Sequence, residues 1–143
     1  MAASNGAKKF LQQVIAILAE EGGFDRNLAR LCLVSAGNGK CTAEMKVEKE
    51  HTNRGGFLHG GLTATLVDAV STMALMTTEK SVPGLSVDLN VSYLKAAKTG
   101  EEIIINAETL KAGKNLAFLS VHITNKESGD LIAKGSHTKY FGS

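Results

Sequence analysis

The chain has 143 residues, with 16 Lys and Arg against 14 Asp and Glu, a formal net charge of +2, and 43% apolar residues. This composition is typical of one soluble globular domain, and we expect a single domain over residues 1–143. A charge this small, without a basic stripe, excludes most nucleic-acid binders, because they neutralise phosphates with clustered Lys and Arg.

Apolar runs in the sequence are too short for the roughly 18–20 residues that a helix needs to cross a bilayer, so we expect no membrane span. The N-terminal residues lack the regions of a signal peptide. Cys32 and Cys41 have neither the spacing nor the partners of a zinc site, and we expect no metal. They suggest a reducing compartment, with both thiols acting as small core hydrophobes.

The predicted elements begin with an amphipathic helix over about 7–21, because apolar residues from Phe10 to Leu18 recur at helical spacing. A Gly-Asn-Gly turn then separates two alternating stretches, which predict a β-hairpin over 29–36 and 41–47. A polar, Gly-containing loop follows this hairpin.

A second helix begins near Gly60, and it is the most apolar of the helices, so we expect it at the centre of the fold. Strict alternation from Leu85 to Tyr93 predicts the clearest strand. Three further strands are predicted at about 101–111, 115–125 and 129–140. This element order favours an α+β fold with an antiparallel sheet wrapped around one buried helix, because tight turns join antiparallel neighbours whereas parallel ones need crossovers.

Chemistry is most strongly indicated where His59, Gly60 and Gly61 lead from a loop into the second helix. At such a helix start the backbone N–H groups of Gly60 and Gly61 lack helical partners and lie at the positive end of the helix dipole. These donors suit a phosphate, or a carbonyl oxygen that becomes negative in a transition state.

Asp68 is an acid in the middle of this apolar helix. From the residues alone its carboxylate either hydrogen-bonds Ser71 or Thr72 structurally or does chemistry. Gly60 lies eight residues earlier, about 12 Å along the helix. One chain therefore cannot bring both groups to the same carbonyl, whereas a two-fold dimer with antiparallel helices could.

These features together resemble the hotdog-fold thioesterases, in particular their phenylacetate-pathway type. In that family an Asn precedes a His-Gly-Gly sequence that opens the central helix, and an acid lies on the helix. The resemblance extends over nearly the whole chain, and the segments that carry it lie at 50–53, 58–68, 71–75, 86–88 and 135–139. The resemblance implies a hotdog fold and the metal-independent hydrolysis of medium- to long-chain fatty acyl-coenzyme A to fatty acid and coenzyme A. No cofactor is implied, because coenzyme A is part of the substrate.

The same resemblance assigns the site residues. Asp68 would be the general base or the nucleophile, and the Gly60 N–H would polarise the thioester carbonyl. Asn53 would be a second group oriented at the thioester, and His59 would shape the loop. Ser86 would help Asp68 hold the attacking water.

Considered without the family, several of these residues have simpler interpretations. Asn53 is typical of a turn, and Ser86 of the polar face of a strand. The other histidines, His51, His122 and His137, have no ligand-like partners and are interpreted as structural or surface groups. Coenzyme A phosphates need cationic contacts, for which the candidates are Arg54, Lys95, Lys98, Lys111, Lys114, Lys134 and Lys139.

Two other functions remain open: an enoyl-thioester dehydratase or hydratase of the same fold, with His59 as its base, and a non-catalytic acyl-coenzyme A binding protein. The resemblance further implies a homodimer with a composite active site, assembled into a homotetramer. It also implies a cytoplasmic and mitochondrial location, and a phosphatidylcholine-transfer protein as a partner.

Overall fold

The structure, a computed structural model, describes residues 2–142. It contains two α-helices, α1 (Ala2–Glu20) and α2 (Gly60–Met76), and two short 3₁₀ helices at Phe24–Leu28 and Lys49–His51. The strands are β1 (Cys32–Gly37), β2 (Lys40–Lys46), β3 (Leu85–Tyr93), β4 (Glu102–Ala112), β5 (Leu116–Asn125) and β6 (Leu131–Tyr140).

One antiparallel sheet holds all six strands in the order β1-β2-β4-β5-β6-β3. Helix α2 contacts every strand, and Leu66, Val67, Val70 and Ala74 on it are fully buried. This confirms the expected α+β class and the hotdog arrangement of a sheet wrapped around a central helix. The helix approaches β6 most closely at Gly135, where an added Cβ would lie 2.5 Å from Val67 Cγ1.

Helix α1 begins earlier than its predicted start at about residue 7, because the alanines at its beginning favour helix and extend it to Ala2. It ends just before Gly22, whose φ of 77° is unfavourable for other residues. Gln12 ties the helix to the start of β1, since its Oε1 accepts from the Leu33 N–H at 2.8 Å and its Nε2 donates to the Leu31 carbonyl at 3.1 Å.

The first strand begins at Cys32 rather than near residue 29, because residues 29 and 30 form a turn that follows a 3₁₀ helix at Phe24–Leu28. Leu33 faces the core, so its neighbour Cys32 faces the opposite side and is exposed. The expectation of two core thiols is therefore wrong for Cys32 and confirmed for Cys41. Burial raises the pKa of the Cys41 thiol to about 12, which keeps it protonated.

Strand β3 forms one edge of the sheet, and within residues 2–142 its pairing partner is β6 alone. Its apolar side chains are largely uncovered, with Leu85 71%, Val87 61% and Tyr93 58% exposed. An edge strand with exposed apolar side chains offers both main-chain and side-chain contacts to another chain. Within residues 2–142, neither α-helix combines the length and the apolar character needed to cross a membrane.

Candidate functional site

Asn53 organises the loop that leads to α2. Its Oδ1 accepts from the N–H groups of Gly55 at 2.9 Å and Phe57 at 3.3 Å, and its own N–H donates to the Phe57 carbonyl at 2.8 Å. This is the turn role that the sequence suggested. The amide nitrogen of Asn53 has no hydrogen-bond partner in the described part of the chain, so it is available to a ligand.

The start of α2 is capped by His59, whose Nδ1 accepts from the Gly61 N–H at 2.8 Å. The expectation that Gly60 and Gly61 both present unpaired N–H groups is therefore wrong for Gly61. The Gly60 N–H has no partner within residues 2–142, while the Gly60 carbonyl accepts from the Tyr93 hydroxyl at 2.7 Å. Tyr93, which no motif in the sequence marks, thus holds β3 against the first residue of the helix.

Asp68 lies two turns further along α2, with its side chain 47% exposed. The hydroxyls of Ser71 and Thr72 donate to its main-chain carbonyl, at 3.1 and 2.8 Å. The carboxylate itself receives only a 3.5 Å contact from Thr72 Oγ1. Hydrogen bonding within the helix therefore leaves most of the carboxylate's acceptor capacity unused.

The pairing of β3 with β6 brings Ser86 to the ring of His137, and this ring approaches the Asp68 carboxylate. His137 Nε2 is 2.8 Å from Ser86 Oγ and 4.0 Å from Asp68 Oδ1, and its Nδ1 is 2.8 Å from Ser71 Oγ. The ring is fully buried. Burial lowers the pKa of His137, and the nearby carboxylate of Asp68 opposes this shift only in part.

The sequence predicts His137 to be a structural or surface group, yet in the structure it lies in the candidate site. One feature of the sequence does indicate that His137 faces the core. On β6, His137 shares a face with Ala133 and Gly135, which are small residues, while Lys134 and Ser136 alternate with them on the other face. A polar residue on the core face of a strand requires a partner.

Lys139 also faces the site, two residues after His137 on β6. Its side chain is buried, and Nζ donates to Thr72 Oγ1 at 2.7 Å. Burial lowers the pKa of Lys139, and Asp68 acts in the opposite direction. Lys139 therefore differs from the other candidates for coenzyme A phosphates, since it is enclosed beside Asp68 instead of lying at an entrance.

Among the other cationic candidates, Arg54 lies closest to the helix start. It lines an open groove together with Asn53, Phe57 and His59. Lys98 is placed next to this groove by a β-bridge to Phe57. The remaining candidates lie elsewhere on the surface: Lys95, which forms an ion pair with Asp130, and Lys111, Lys114 and Lys134.

His51 lies in the 3₁₀ helix behind this loop and is buried. Its Nδ1 accepts from the Glu48 N–H at 2.9 Å, and its carbonyl accepts from the His59 N–H at 2.9 Å. His51 is therefore structural, and His122 lies exposed on β5, as the sequence analysis interpreted them. Within residues 2–142, no three His, Cys, Asp or Glu side chains are grouped as metal ligands would be.

The geometry thus combines the Gly60 N–H, which has no partner within residues 2–142, with the Asp68 carboxylate. That carboxylate lies 3.5 Å from Thr72 Oγ1 and 4.0 Å from His137 Nε2. A backbone donor can stabilise negative charge on a carbonyl oxygen, and a carboxylate can take a proton from water or attack a carbonyl carbon. Both groups lie on α2, eight residues apart.

The chain matches the family model of the thioesterase superfamily over residues 55–132. It is 57% identical over 133 residues to acyl-coenzyme A thioesterase 13 of Mus musculus, a match covering 93% of this chain and 95% of that protein. The crystal structure of zebrafish thioesterase superfamily member 2 is 53% identical, with a TM-score of 0.92, and the match covers 94% of this chain and 98% of that one.

A more distant structure, a hypothetical thioesterase protein of Streptococcus pneumoniae with coenzyme A, has a TM-score of 0.72 at 26% identity, over 77% of this chain and 86% of that one. The family model spans more than half of this chain, and the mouse relative matches nearly all of it. The chain therefore belongs to the thioesterase superfamily and is a thioester hydrolase.

Proposed function

We propose that this protein hydrolyses fatty acyl-coenzyme A, with medium- to long-chain acyl groups favoured, to a free fatty acid and coenzyme A. The observation that carries the proposal is the half-exposed Asp68 carboxylate, 4.0 Å from the His137 ring that contacts Ser86. It lies on the helix whose first N–H, at Gly60, has no partner among the described residues. The mouse relative is named an acyl-coenzyme A thioesterase, and the S. pneumoniae structure contains coenzyme A, which supports this substrate class.

In the proposed reaction the thioester carbonyl oxygen accepts a hydrogen bond from the Gly60 N–H. Asp68 removes a proton from a water held with the help of Ser86, and the water oxygen attacks the carbonyl carbon. The negative charge that develops on the carbonyl oxygen is stabilised by Gly60 and by the amide nitrogen of Asn53. When the tetrahedral intermediate collapses, the carbon–sulfur bond breaks and the thiolate of coenzyme A leaves.

The alternative in which Asp68 attacks the carbonyl directly gives the same products through an anhydride. A single turnover in H₂¹⁸O separates the two routes. General-base catalysis places the label in the fatty acid only. Direct attack followed by water attack at the Asp68 carbonyl of the anhydride places the label in Asp68 and leaves the first acid unlabelled, so label in Asp68 identifies the direct route.

We propose that the active site is shared between two chains. The Gly60 N–H and Asp68 of one chain are about 12 Å apart along α2, too far to act on one carbonyl. An isologous dimer would bring Gly60 of one chain to the carboxylate of its partner. The edge strand β3 supports this choice of interface, because its apolar side chains are exposed. The same strand carries Tyr93, which bonds the Gly60 carbonyl, and Ser86, which contacts the His137 ring near Asp68.

Coenzyme A phosphates would meet cations at the mouth of the Asn53 loop. Arg54 and Lys98 are the candidates that the groove and the Phe57 bridge favour. The test is the Michaelis constant of Arg54→Ala for palmitoyl-coenzyme A at rising salt concentration. A phosphate contact raises KM with kcat unchanged, and Lys111→Ala on the distant β4 serves as the control.

The decisive experiment measures free-thiol release from palmitoyl-coenzyme A by the wild type and by Asp68→Asn, a near-isosteric change that removes the charge. We expect turnover by the wild type and a loss of at least about 100-fold in kcat for the variant, with binding retained. Equal activity would make Asp68 structural. Hydration of an enoyl-thioester without thiol release would favour the hydratase with His59 as base, and ligand binding without turnover would favour the binding protein.

Subunit complementation tests the shared site. Asp68→Ala and Gly60→Pro, which lacks the N–H, are each expected to be inactive. Mixed and re-formed as heterodimers, they should recover part of the activity, because one of the two composite sites keeps both wild-type groups. Subunit exchange without recovery would contradict the shared site.

The family resemblance is the basis for three further proposals. The dimers would pair into a homotetramer, which light scattering of the purified protein would measure. The protein would reside in the cytoplasm and mitochondria, which cell fractionation would test. A phosphatidylcholine-transfer protein would bind it, and calorimetric titration of the two purified proteins would detect that complex.

A further inference from the structure

The ring of His137 is enclosed between two serine hydroxyls, and each ring nitrogen has one of them as its partner. Nδ1 lies 2.8 Å from Ser71 Oγ on α2, and Nε2 lies 2.8 Å from Ser86 Oγ on β3. A neutral imidazole donates from one nitrogen and accepts at the other. Because burial lowers the pKa of His137, the ring is neutral near pH 7, and its tautomer decides what the Ser86 hydroxyl can do.

Ser71 indicates which nitrogen carries the proton. Its hydroxyl has one proton and lies 3.1 Å from the main-chain carbonyl of Asp68, the usual local acceptor for a serine within a helix. A hydroxyl that donates to this carbonyl can only accept from His137, so Nδ1 carries the proton. Nε2 then has a lone pair, and the Ser86 hydroxyl must donate to it.

The charged groups that face the ring do not reverse this assignment. Asp68 Oδ1 would attract a proton to Nε2, but it is 4.0 Å away, beyond hydrogen-bond distance, whereas Ser71 is in direct contact. Asp68 and Asp88 both raise the pKa of the ring and the cationic Lys139 lowers it, so the two signs of charge oppose each other around His137. The direct hydrogen bonds therefore determine the tautomer.

We propose that His137 is a positioning residue that, through a tautomer set by Ser71, holds Ser86 as a hydrogen-bond acceptor beside Asp68. This inference rests on the proposed function. With its only proton committed to His137, the Ser86 oxygen presents lone pairs to the site. A water between Ser86 and Asp68 then donates one proton to each, and its own lone pair is left pointing away from both, toward a thioester carbon.

The opposite tautomer would weaken this arrangement. If Nε2 donated to Ser86, the Ser86 hydroxyl would have a free proton, which it would direct to the Asp68 carboxylate or to the lone pair of the water. Either choice competes with the attack. The buried histidine therefore contributes to the reaction without contacting the water or the substrate.

The tautomer is measured directly by two-bond ¹H–¹⁵N correlation spectra of the wild-type protein near pH 7, with His137 assigned by its loss in His137→Gln. We expect the pattern of a ring protonated at Nδ1. The pattern of a ring protonated at Nε2, or of an imidazolium, would overturn the proposal. This readout does not depend on any enzymatic activity.

Kinetics test the consequence. Ser71→Ala and His137→Leu should each lower kcat for palmitoyl-coenzyme A by about tenfold or more, the effect of losing one well-placed hydrogen bond, with KM within about twofold. His137→Gln should recover part of the loss, because its amide oxygen can accept from Ser86. His122→Gln, on the exposed face of β5, is the matched control and should behave as the wild type.

The outcomes separate the two proposals. Wild-type turnover with unchanged kcat in Ser71→Ala and His137→Leu would overturn the positioning role and leave the proposed function standing. A wild type that releases no thiol would overturn the proposed function, and the spectra would still report the tautomer. If His137→Leu fails to fold, Ser71→Ala, which removes one hydroxyl, and the wild-type spectra decide.

Discussion

His59 caps the start of α2 through Gly61: Nδ1 of its imidazole accepts from the Gly61 N–H at 2.8 Å, although histidine is not a common N-cap residue. This bond leaves the N–H of the intervening Gly60 as the donor that faces outward. A cap through Nδ1 requires that nitrogen to be unprotonated, so the neutral ring carries its proton on Nε2. His59 therefore acts on the proposed site by holding the backbone that bears the donor.

Replacing this cap should distinguish the loop role of His59 from a chemical one. We expect His59→Ala to lower the free energy of unfolding by about 0.5–2 kcal/mol, whereas His59→Asn, an effective cap, keeps most of it. Thiol release should follow the same order, because the Gly60 N–H is displaced only when the cap is lost. Urea denaturation measures the free energy of unfolding, and hydrolysis of palmitoyl-coenzyme A measures thiol release. A stable His59→Asn as inactive as His59→Ala would assign the ring a direct role in catalysis.

Lys139 carries a buried ammonium group whose hydrogen-bond partner is the Thr72 hydroxyl. Its lowered pKa means that folding disfavours the charged form, so this lysine costs stability below its folded pKa. The cost disappears as the pH rises toward the unfolded value near 10.4. We expect Lys139→Met to be as stable as the wild type or up to about 4 kcal/mol more stable at pH 7.

Thermal unfolding between pH 7 and pH 10 checks this prediction, and the gain in melting temperature should shrink toward pH 10. Hydrolysis should nevertheless fall in Lys139→Met, since Thr72 loses its donor and Asp68 loses the adjacent positive charge. Lys134→Met, exposed on the same strand, is the control and should change neither property. A Lys139→Met protein that unfolds more easily at pH 7 would contradict the assigned burial cost.

Acid should destabilise the loop that precedes α2 through His51. Burial lowers the pKa of this histidine, so as the pH falls below about 6.5 the unfolded chain binds a proton before the folded chain does. The stability that neutral His51 contributes above pH 6.5 is therefore lost as the pH falls from 6.5 toward the pKa of His51 in the folded protein. The loss is at most about 1.4 kcal/mol per pH unit. His137, whose pKa is also lowered, adds a slope of the same sign.

His51→Gln should reduce this slope between pH 7 and pH 5, because glutamine does not titrate and its amide oxygen can still accept from the Glu48 N–H. Urea denaturation at a series of pH values gives the slope directly. His122→Gln is the matched surface control. An unchanged slope in His51→Gln would mean that His51 takes up its proton equally in both states.

Gly135 is required by the packing of α2 on β6. A Cβ there would lie 2.5 Å from Val67 Cγ1, so Gly135→Ala should lower the free energy of unfolding by about 1–3 kcal/mol. The double variant Gly135→Ala with Val67→Ala should be less unstable than the sum of the two single changes, as expected for residues in contact. Gly6→Ala, with open space around it in α1, should instead gain about 0.5–1 kcal/mol. Additive single changes would contradict the clash.

Local pattern was sufficient for much of the fold. Strict alternation predicted β3 at its observed bounds, Leu85–Tyr93, and the glycines at the start of the apolar segment predicted the start of α2 at Gly60. The short turns predicted the antiparallel hairpins, because neighbours joined in this way have few alternatives. The start of the first strand was predicted less well, since a turn at residues 29 and 30 replaces its first residues and no periodic pattern marks that change.

Asp68, Gly60, Asn53 and His59 could be singled out from the sequence, because an acid within an apolar helix and a His-Gly-Gly helix start are visible in one short stretch. Whether these residues act as proposed remains a prediction. The sequence could not show that His59 already occupies the Gly61 N–H, since a histidine before a helix can turn either way. Nor could it show that Lys139 is enclosed, because an alternating strand does not reveal how much of each face is covered.

By itself, then, the sequence determined the element order, the antiparallel class and the central helix, all of which follow from periodicity and turn chemistry over a few residues. Only the tertiary structure decided that β3 crosses over to pair with β6 at the sheet edge. That pairing joins Ser86 and His137, which are 51 positions apart, next to Asp68. Such contacts depend on how the whole sheet closes around α2, a long-range packing choice that no local pattern contains.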